Sequence, residues 1–154
     1  MTAMRRDIQL SKMLMLAVTR HNGQFDKGGK PYILHPLKVM HYLKSDDEEL
    51  QCIALGHDIV EDCFKSVEEG MQYLYMQGFS NRILRGIESM TKLPGEDFEA
   101  YKSRVKSNPD AVLVKMADLR HNTDIRRLKG ILEKDFNRMR RYHEFYMELK
   151  ELTE

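Results

Sequence analysis

The chain has few cysteines, few prolines, almost no net charge, no strand-like alternation and no long apolar run. Cys52 and Cys63 are its only cysteines, and they offer neither CxxC spacing nor the set of four that a thiolate zinc site needs. They read as reduced thiols beside the core of a cytosolic protein. The formal charge of +1, from 25 basic and 24 acidic residues, gives no global attraction to nucleic acid or to an anionic membrane. Any phosphate recognition must be local. Nowhere do about 18 uncharged apolar residues run together, and Arg5, Arg6, Asp7 and Lys12 interrupt the N-terminal apolar pattern. Neither a membrane span nor a signal peptide is read. No segment alternates with period two, and there is no internal repeat or low-complexity tract. At 154 residues and 18.2 kDa the chain is expected to be one all-α domain, 1–154, with a single core and no need of covalent staples.

Apolar residues at helical spacing place a first helix from Met4 to Arg20. It is followed by a loop rich in glycine and proline over 22–36. Pro36 suits the first position of a second helix reaching about Lys44, which puts His35 at its mouth. Ser45-Asp46-Asp47 reads as the cap of a central helix from 46 to about 63. Further helices are expected at 66–77, from Ser80 to about Thr91, and from Glu96 to Ser107 with Phe98, Tyr101 and Val105 inward. Asn108-Pro109-Asp110 is a strong start for the next. Gly130 ends that region, and a last helix runs from about Ile131 to Leu152.

The central helix carries the unusual chemistry. Within its apolar run stand Gly56-His57-Asp58-Ile59-Val60-Glu61-Asp62. At about 100° per residue, His57 and Glu61 share one face and Asp58 and Asp62 the next stripe. Ile53, Gly56, Ile59 and Val60 lie on the other side and hold the helix in a core. Ionisable groups inside such a run need partners or a cation. A second cluster, Asp118-Leu119-Arg120-His121-Asn122, follows Val112 to Ala117. His35, His57, Asp58 and Asp118 then offer two imidazoles and two carboxylates without a thiolate, a donor set suited to a catalytic divalent ion such as Mn²⁺, Fe²⁺, Co²⁺ or Zn²⁺.

His35-Pro36, His57-Asp58 with Glu61-Asp62, and Lys115-Met116-Ala117-Asp118 with His121-Asn122 together resemble the HD-domain metal phosphohydrolases. Within these, the chain is similar to the hydrolase domain of the (p)ppGpp enzymes of the stringent response and to their small stand-alone relatives. The family motifs AHxGQxRKxGxPYIxHP, HDxxED and KxADRLHN occur here in order and spacing from about residue 17 to 125. The resemblance implies an HD domain of about eight helices around a buried metal site. It implies that His35, His57, Asp58 and Asp118 bind a metal, usually manganese, that Glu61 and Asp62 serve catalysis, and that Lys27 and Asn122 contact a nucleotide. The expected function is a metal-dependent nucleotide phosphohydrolase, with (p)ppGpp 3′-pyrophosphohydrolase as the best assignment. The alternatives are an HD-type phosphomonoesterase or phosphodiesterase on another nucleotide, and a metal-binding nucleotide sensor without turnover. The expected partner is a small phosphorylated nucleotide, with no nucleic acid, no membrane and a possible homo-oligomer.

Two departures from the family pattern stand out. Asp26 replaces the arginine before the loop lysine, and Gly28 follows that lysine where many members have serine. A carboxylate at 26 should weaken binding of a heavily phosphorylated guanosine unless it binds a second cation or pairs with Lys27 or Lys30. Leu119-Arg120 inverts the family order, and Ile125 stands at a nucleotide-contacting threonine position. His21 reads as a cap at the end of the first helix in preference to a substrate contact. His121 either supports the metal ligands or lies at the surface. His41 and His143 read as structural or exposed, and the eleven methionines as gap fillers in helix packing. Arg126-Arg127-Leu128-Lys129 and Arg138-Met139-Arg140-Arg141 interleave with acids and read as a solvated, salt-bridged face, with a subunit interface equally open.

Overall fold

A computed structural model describes residues 6–154, with side chains from Ile8 onward. The expected helical residues Met4 and Arg5 therefore lie outside the described residues. The elements are α1 (Arg6–Arg20), α2 (Leu34–Leu43), α3 (Glu48–Gly56), α4 (Ile59–Cys63), α5 (Val67–Met76), α6 (Asn81–Met90), α7 (Phe98–Lys106), α8 (Pro109–Asn122), a 3-10 turn (Ile125–Arg127) and α9 (Glu133–Thr153). Among the described residues the only strand-like feature is an isolated bridge between Phe25 and Pro31. The all-α expectation holds.

Helix α3 is the centre of the packing, touched by α1, α2, α6 and α8. Its residues Cys52, Ile53, Ala54 and Leu55 are buried on every side, the pattern of a core helix rather than a surface one. Its start is fixed by Asp47, whose carboxylate accepts from the backbone N–H groups of Glu49 and Leu50. Helix α8 starts as its sequence demands, with Asn108 capping Ala111 N–H and Pro109 at the first position. Arg82 on α6 ties these two starts together. Its Nη2 reaches Asp47 Oδ2 at 2.7 Å and its Nε reaches Asp110 Oδ2 at 2.9 Å. Both helices leave this clamp side by side. His57 lies nine residues beyond Glu48 and Asp118 nine beyond Pro109, so at about 1.5 Å per residue each climbs about 13 Å to the same level.

The structure departs from the sequence expectation at several points. The central helix is not continuous from 46 to 63; it breaks at His57 and Asp58, where the backbone opens to φ −105°, ψ −3° at Asp58 before α4 begins. The cause is local. His57 Nδ1 donates to the carbonyl of Ala54 at 2.6 Å, so a side chain takes a helix acceptor three residues back. Helix α2 begins at Leu34, not Pro36, which places the proline in a first turn whose N–H groups have no helical partner in any case. In α9 Phe145 and Leu149 enter the core, while Phe136 and Met147 are exposed, as is Leu132 at the residue before the helix. Tyr101 and Val105 face inward as expected and Phe98 is half-buried. Met13 fills the core, but Met15 is exposed.

Close approach of α6 to α3 depends on Gly86, where a Cβ would press into all three outer carbons of Ile53. Gly86→Ala should therefore lower unfolding stability by about 1 kcal/mol, an overpacking cost of about 1–3 kcal/mol offset by about 1 kcal/mol of helix propensity. Adding Ile53→Val, which removes the nearest methyl, should make the double variant more stable than the sum of the singles. Urea unfolding of the four proteins checks this.

Candidate metal centre

The four residues expected to gather do gather. His35 comes from the first turn of α2, His57 and Asp58 from the break between α3 and α4, and Asp118 from the last turns of α8. One donor atom each from His35, His57 and Asp58 fits within 4.8 Å of the others. Asp118 Oδ1 lies 2.8 Å from His35 Nε2 and 3.3 Å from His57 Nε2, and Asp58 Oδ2 lies 3.0 Å from His57 Nε2. His35, His57 and Asp118 are buried.

Neighbouring groups fix how these side chains point. The bond from His57 Nδ1 to Ala54 O turns Nε2 into the cluster. That Nε2 is buried and has no hydrogen-bond partner, although two carboxylate oxygens flank it. A buried Nε2 between two carboxylates is the position from which an imidazole binds a cation in place of its proton, and the donor set fits a divalent metal. His35 Nδ1 faces His121 Nδ1 at 2.7 Å with the rings stacked, which directs His35 Nε2 towards Asp118. Burial and the charge of Arg127 lower His121 to about 4, so it meets His35 as a neutral ring. His121 thus supports the site from behind and is not a surface residue.

Asp118 is the most heavily bonded member. Lys115 Nζ donates to its Oδ2 at 2.8 Å and Asn122 Nδ2 to its Oδ1 at 2.9 Å. Burial works against the charge of Asp118, yet Lys115 and the two imidazoles hold it well below the ordinary carboxylate range. Burial likewise opposes ionisation of Asp58, but the His57 imidazole keeps it low. His57 would be lowered by burial alone and is instead raised well above its usual value by Asp58 and Asp118.

Tyr32 was not singled out by the sequence. Its hydroxyl donates to Asp58 Oδ2 at 2.6 Å, and burial together with the Asp58 charge pushes its own ionisation up. Behind Tyr32 stands His21, which corrects the reading of a helix-end cap: it is buried, bonds Gln24 Oε1 through Nδ1 at 2.7 Å, and packs its ring 5.1 Å from that of Tyr32. His41 and His143 are exposed.

The cluster opens into a cavity of about 360 Å³, lined on the acidic side by Asp58, Glu61, Asp62 and Asp118. Glu61 is anchored by the backbone N–H of Lys92, 2.8 Å from its Oε1. Asp62 is open to solvent at the mouth, but the confined wall and the carboxylates of Asp58 and Glu61 raise it to about 7. Lys27 and Asn122 line the same cavity, as do Arg127, Arg138 and Tyr142. Arg127 and Arg138 were expected on a solvated face, and the structure turns both towards the cavity. Ile125 is exposed and does not line it. Asp26 pairs with neither Lys27 nor Lys30 through their side chains; its partner is Arg127, at 3.4 Å, with the backbone N–H of Lys30 on its other oxygen.

No protein-family model matches the chain. In sequence it is 29% identical over 120 residues to the guanosine-3′,5′-bis(diphosphate) 3′-pyrophosphohydrolase of Aquifex aeolicus, covering 71% of this chain and 16% of that one. It is 28% identical over 125 residues to the bifunctional (p)ppGpp synthase/hydrolase SpoT of Escherichia coli, covering 74% of this chain and 17% of that one. The chain is thus similar in sequence to part of proteins named for (p)ppGpp hydrolysis and synthesis. It spans about one sixth of the length of these curated relatives. In three dimensions it matches a solved metazoan ortholog of SpoT, described as hydrolysing ppGpp, with a TM-score of 0.72 at 21% identity over 96% of this chain and 88% of that one. That likeness shows a shared fold. Among the described residues no helix is long and apolar enough to cross a membrane.

Two outcomes follow from this geometry. Tyr32→Phe strips the donor from Asp58 and should weaken divalent-ion binding about 10–100-fold, read as a loss of the rise in Tm on adding Mn²⁺. The second concerns the segment that presents Lys92 to Glu61. There Arg104 bonds Glu96 at 2.6 Å and the carbonyls of Glu88 and Thr91. Bonding to Arg104 lowers Glu96 to about 2, so the pair stabilises the fold fully above the ordinary carboxyl range near about 4.3 and progressively less as pH falls towards its folded value. Glu96→Gln should therefore reduce Tm at pH 7, with the gap from wild type closing between about pH 4 and pH 2 in thermal unfolding followed by circular dichroism.

Proposed function

We propose that residues 1–154 form one HD-type phosphohydrolase domain that cleaves the 3′-pyrophosphate of a (p)ppGpp-type guanosine nucleotide. Manganese is the proposed ion, with His35, His57, Asp58 and Asp118 as its ligands. The observation that carries the reading is the convergence of the His35 and His57 Nε2 atoms with the Asp58 and Asp118 carboxylates at the base of a cavity that cationic side chains also line. The names of the relatives include both synthesis and hydrolysis of (p)ppGpp; a His/Asp donor set around one point supports the hydrolytic half.

A divalent ion held there would polarise a phosphoryl oxygen and make water a competent nucleophile at neutral pH. The remaining work falls to the chain. Glu61 has one oxygen fixed by Lys92 N–H, which leaves the other to orient the attacking water and accept its proton. Asp62, beside it at the mouth, serves the return of a proton to the departing 3′-oxygen. The new bond joins water oxygen to the phosphorus on the 3′-oxygen, and the bond from that phosphorus to the 3′-oxygen breaks, giving pyrophosphate and the guanosine 5′-nucleotide. Lys115 stays bound to Asp118 and offsets the negative charge of the pair of carboxylates. Lys27 neutralises phosphate charge, and Asn122 positions the nucleotide while bracing Asp118.

The test is incubation of metal-stripped protein with ppGpp and Mn²⁺, resolving products by chromatography. GDP and pyrophosphate in equal amounts are expected. Orthophosphate alone would assign a phosphomonoesterase, and bound metal with ppGpp intact would assign a sensor or another substrate. Asp58→Asn should lose both Mn²⁺ binding and more than about 100-fold in turnover; full activity in that variant would remove Asp58 from the metal site.

A further inference from the structure

Two adjacent arginines of the 3-10 turn have different surroundings. Arg126 is 85% exposed and bonds its neighbour Asp124, whereas the Arg127 side chain is only 21% exposed and lines the cavity. Three acceptors aim Arg127. Its Nη1 donates to the carbonyl of His121 at 3.1 Å and to Asn122 Oδ1 at 3.0 Å, and its Nη2 reaches Asp26 Oδ2 at 3.4 Å. A guanidinium has five N–H donors. The Nε–H and one Nη2 hydrogen have no acceptor among the described residues. Gly28 adds a steric lock, because a side chain there would strike the carbonyl of Arg127.

A cation held by several acceptors, with donors to spare on the edge of a cavity, is how arginine reads phosphate in preference to merely neutralising it. Lys27 and Arg138 line the same cavity, and Arg138 is itself steadied by Asp135 at 2.9 Å. Asn122 links this group to the proposed metal ligands, since it accepts from Arg127 and donates to Asp118. Arg127 is thus two hydrogen bonds from Asp118. The pairing also explains how Asp26 is compatible with an anionic ligand: its charge is directed at Arg127, and the 3.4 Å contact is long enough for a phosphate oxygen to share Nη2.

We propose that Arg127, aimed by Asn122 and Asp26, forms with Lys27 and Arg138 an anion subsite that takes the phosphate group the enzyme does not cleave. The identity of that group rests on the hydrolase reading above; the anion binding does not. The test is calorimetric titration of inorganic pyrophosphate into the full chain in EDTA, so that no divalent ion bridges the ligand to the His/Asp cluster. Wild type should bind saturably. Arg127→Met should weaken binding about 10-fold or more, because a charge-assisted fork is lost. Arg127→Lys, which keeps the charge without the fork, should fall between them. Arg126→Met removes the same charge one residue away and should bind like wild type. With Mn²⁺ and ppGpp, Arg127→Met should raise KM by a similar factor and leave kcat within about threefold, a split that a merely structural role would not produce. If Arg127→Met does not fold, Arg127→Lys carries the comparison. Failure of wild type to bind pyrophosphate, unchanged binding in the folded Arg127 variants, or equal weakening by Arg126→Met overturns the subsite. Pyrophosphate binding with no turnover of ppGpp would keep the subsite and overturn the hydrolase reading alone.

Discussion

Asp58 and Asp118 approach the same imidazole nitrogen, at 3.0 and 3.3 Å from His57 Nε2, and the rest of the structure is shaped by the cost of that convergence. Two carboxylates withdrawn from water repel each other and each loses hydration. The fold answers with donors placed one by one: Tyr32 O–H on Asp58, Lys115 and Asn122 on Asp118. Each donor removes an oxygen lone pair from direct competition and directs what remains towards a common point. None of them satisfies His57 Nε2. That nitrogen faces only the two carboxylates, an arrangement that a shared cation would complete.

Delivery of these groups is a matter of helix length measured from a shared origin. The Arg82 clamp sets α3 and α8 level at their starts, and equal numbers of residues then carry His57 and Asp118 to equal height. Continuing α3 past Gly56 as a regular helix would keep the His57 side chain in the helical register; the bond to Ala54 O breaks that register and turns the ring inward. Gly56 permits this where it occurs, since a Cβ there would lie 2.8 Å from Met13 Sδ and 2.9 Å from Ile87 Cδ1. The chemistry therefore depends on packing from α1 and α6, two helices that contribute none of the four gathered residues.

What could be read from the sequence was what depends on residues a few positions apart. The caps at Asp47 and Asn108 act as caps, a helix starts at Ser80, and His35, His57, Asp58 and Asp118 meet. Local spacing carries such information because a helix fixes the geometry between residues i and i+4. The break at His57 escaped because the apolar pattern runs through it unchanged. His21 sits where a helix ends, so its position alone suggested a cap, and only the packing of Tyr32 against it reveals a buried prop. The Asp26–Arg127 pair spans 101 residues, and no periodicity reaches so far. The exposure of Phe136 in α9 and of Leu132 just before it was equally hidden, because apolar identity does not say which face finds a neighbour.

Charge makes the same point at the level of the whole chain. The net +1 hides a separation inside one cavity, where four carboxylates near the His/Asp cluster share the lining with Lys27, Lys115, Arg127 and Arg138. Lys115 is committed to Asp118 and Arg138 to Asp135, so the cations differ in how much charge each can offer a ligand. Arg127 has the stronger claim, because its carboxylate partner Asp26 stands off at 3.4 Å and its two closer acceptors are neutral carbonyl oxygens, of His121 and Asn122, which orient a guanidinium without cancelling it. A divalent ion at one end and an oriented arginine at the other would hold two phosphate groups of one molecule apart. A nucleotide phosphorylated at two separate positions satisfies both ends at once, whereas one with a single phosphate would have to choose between them.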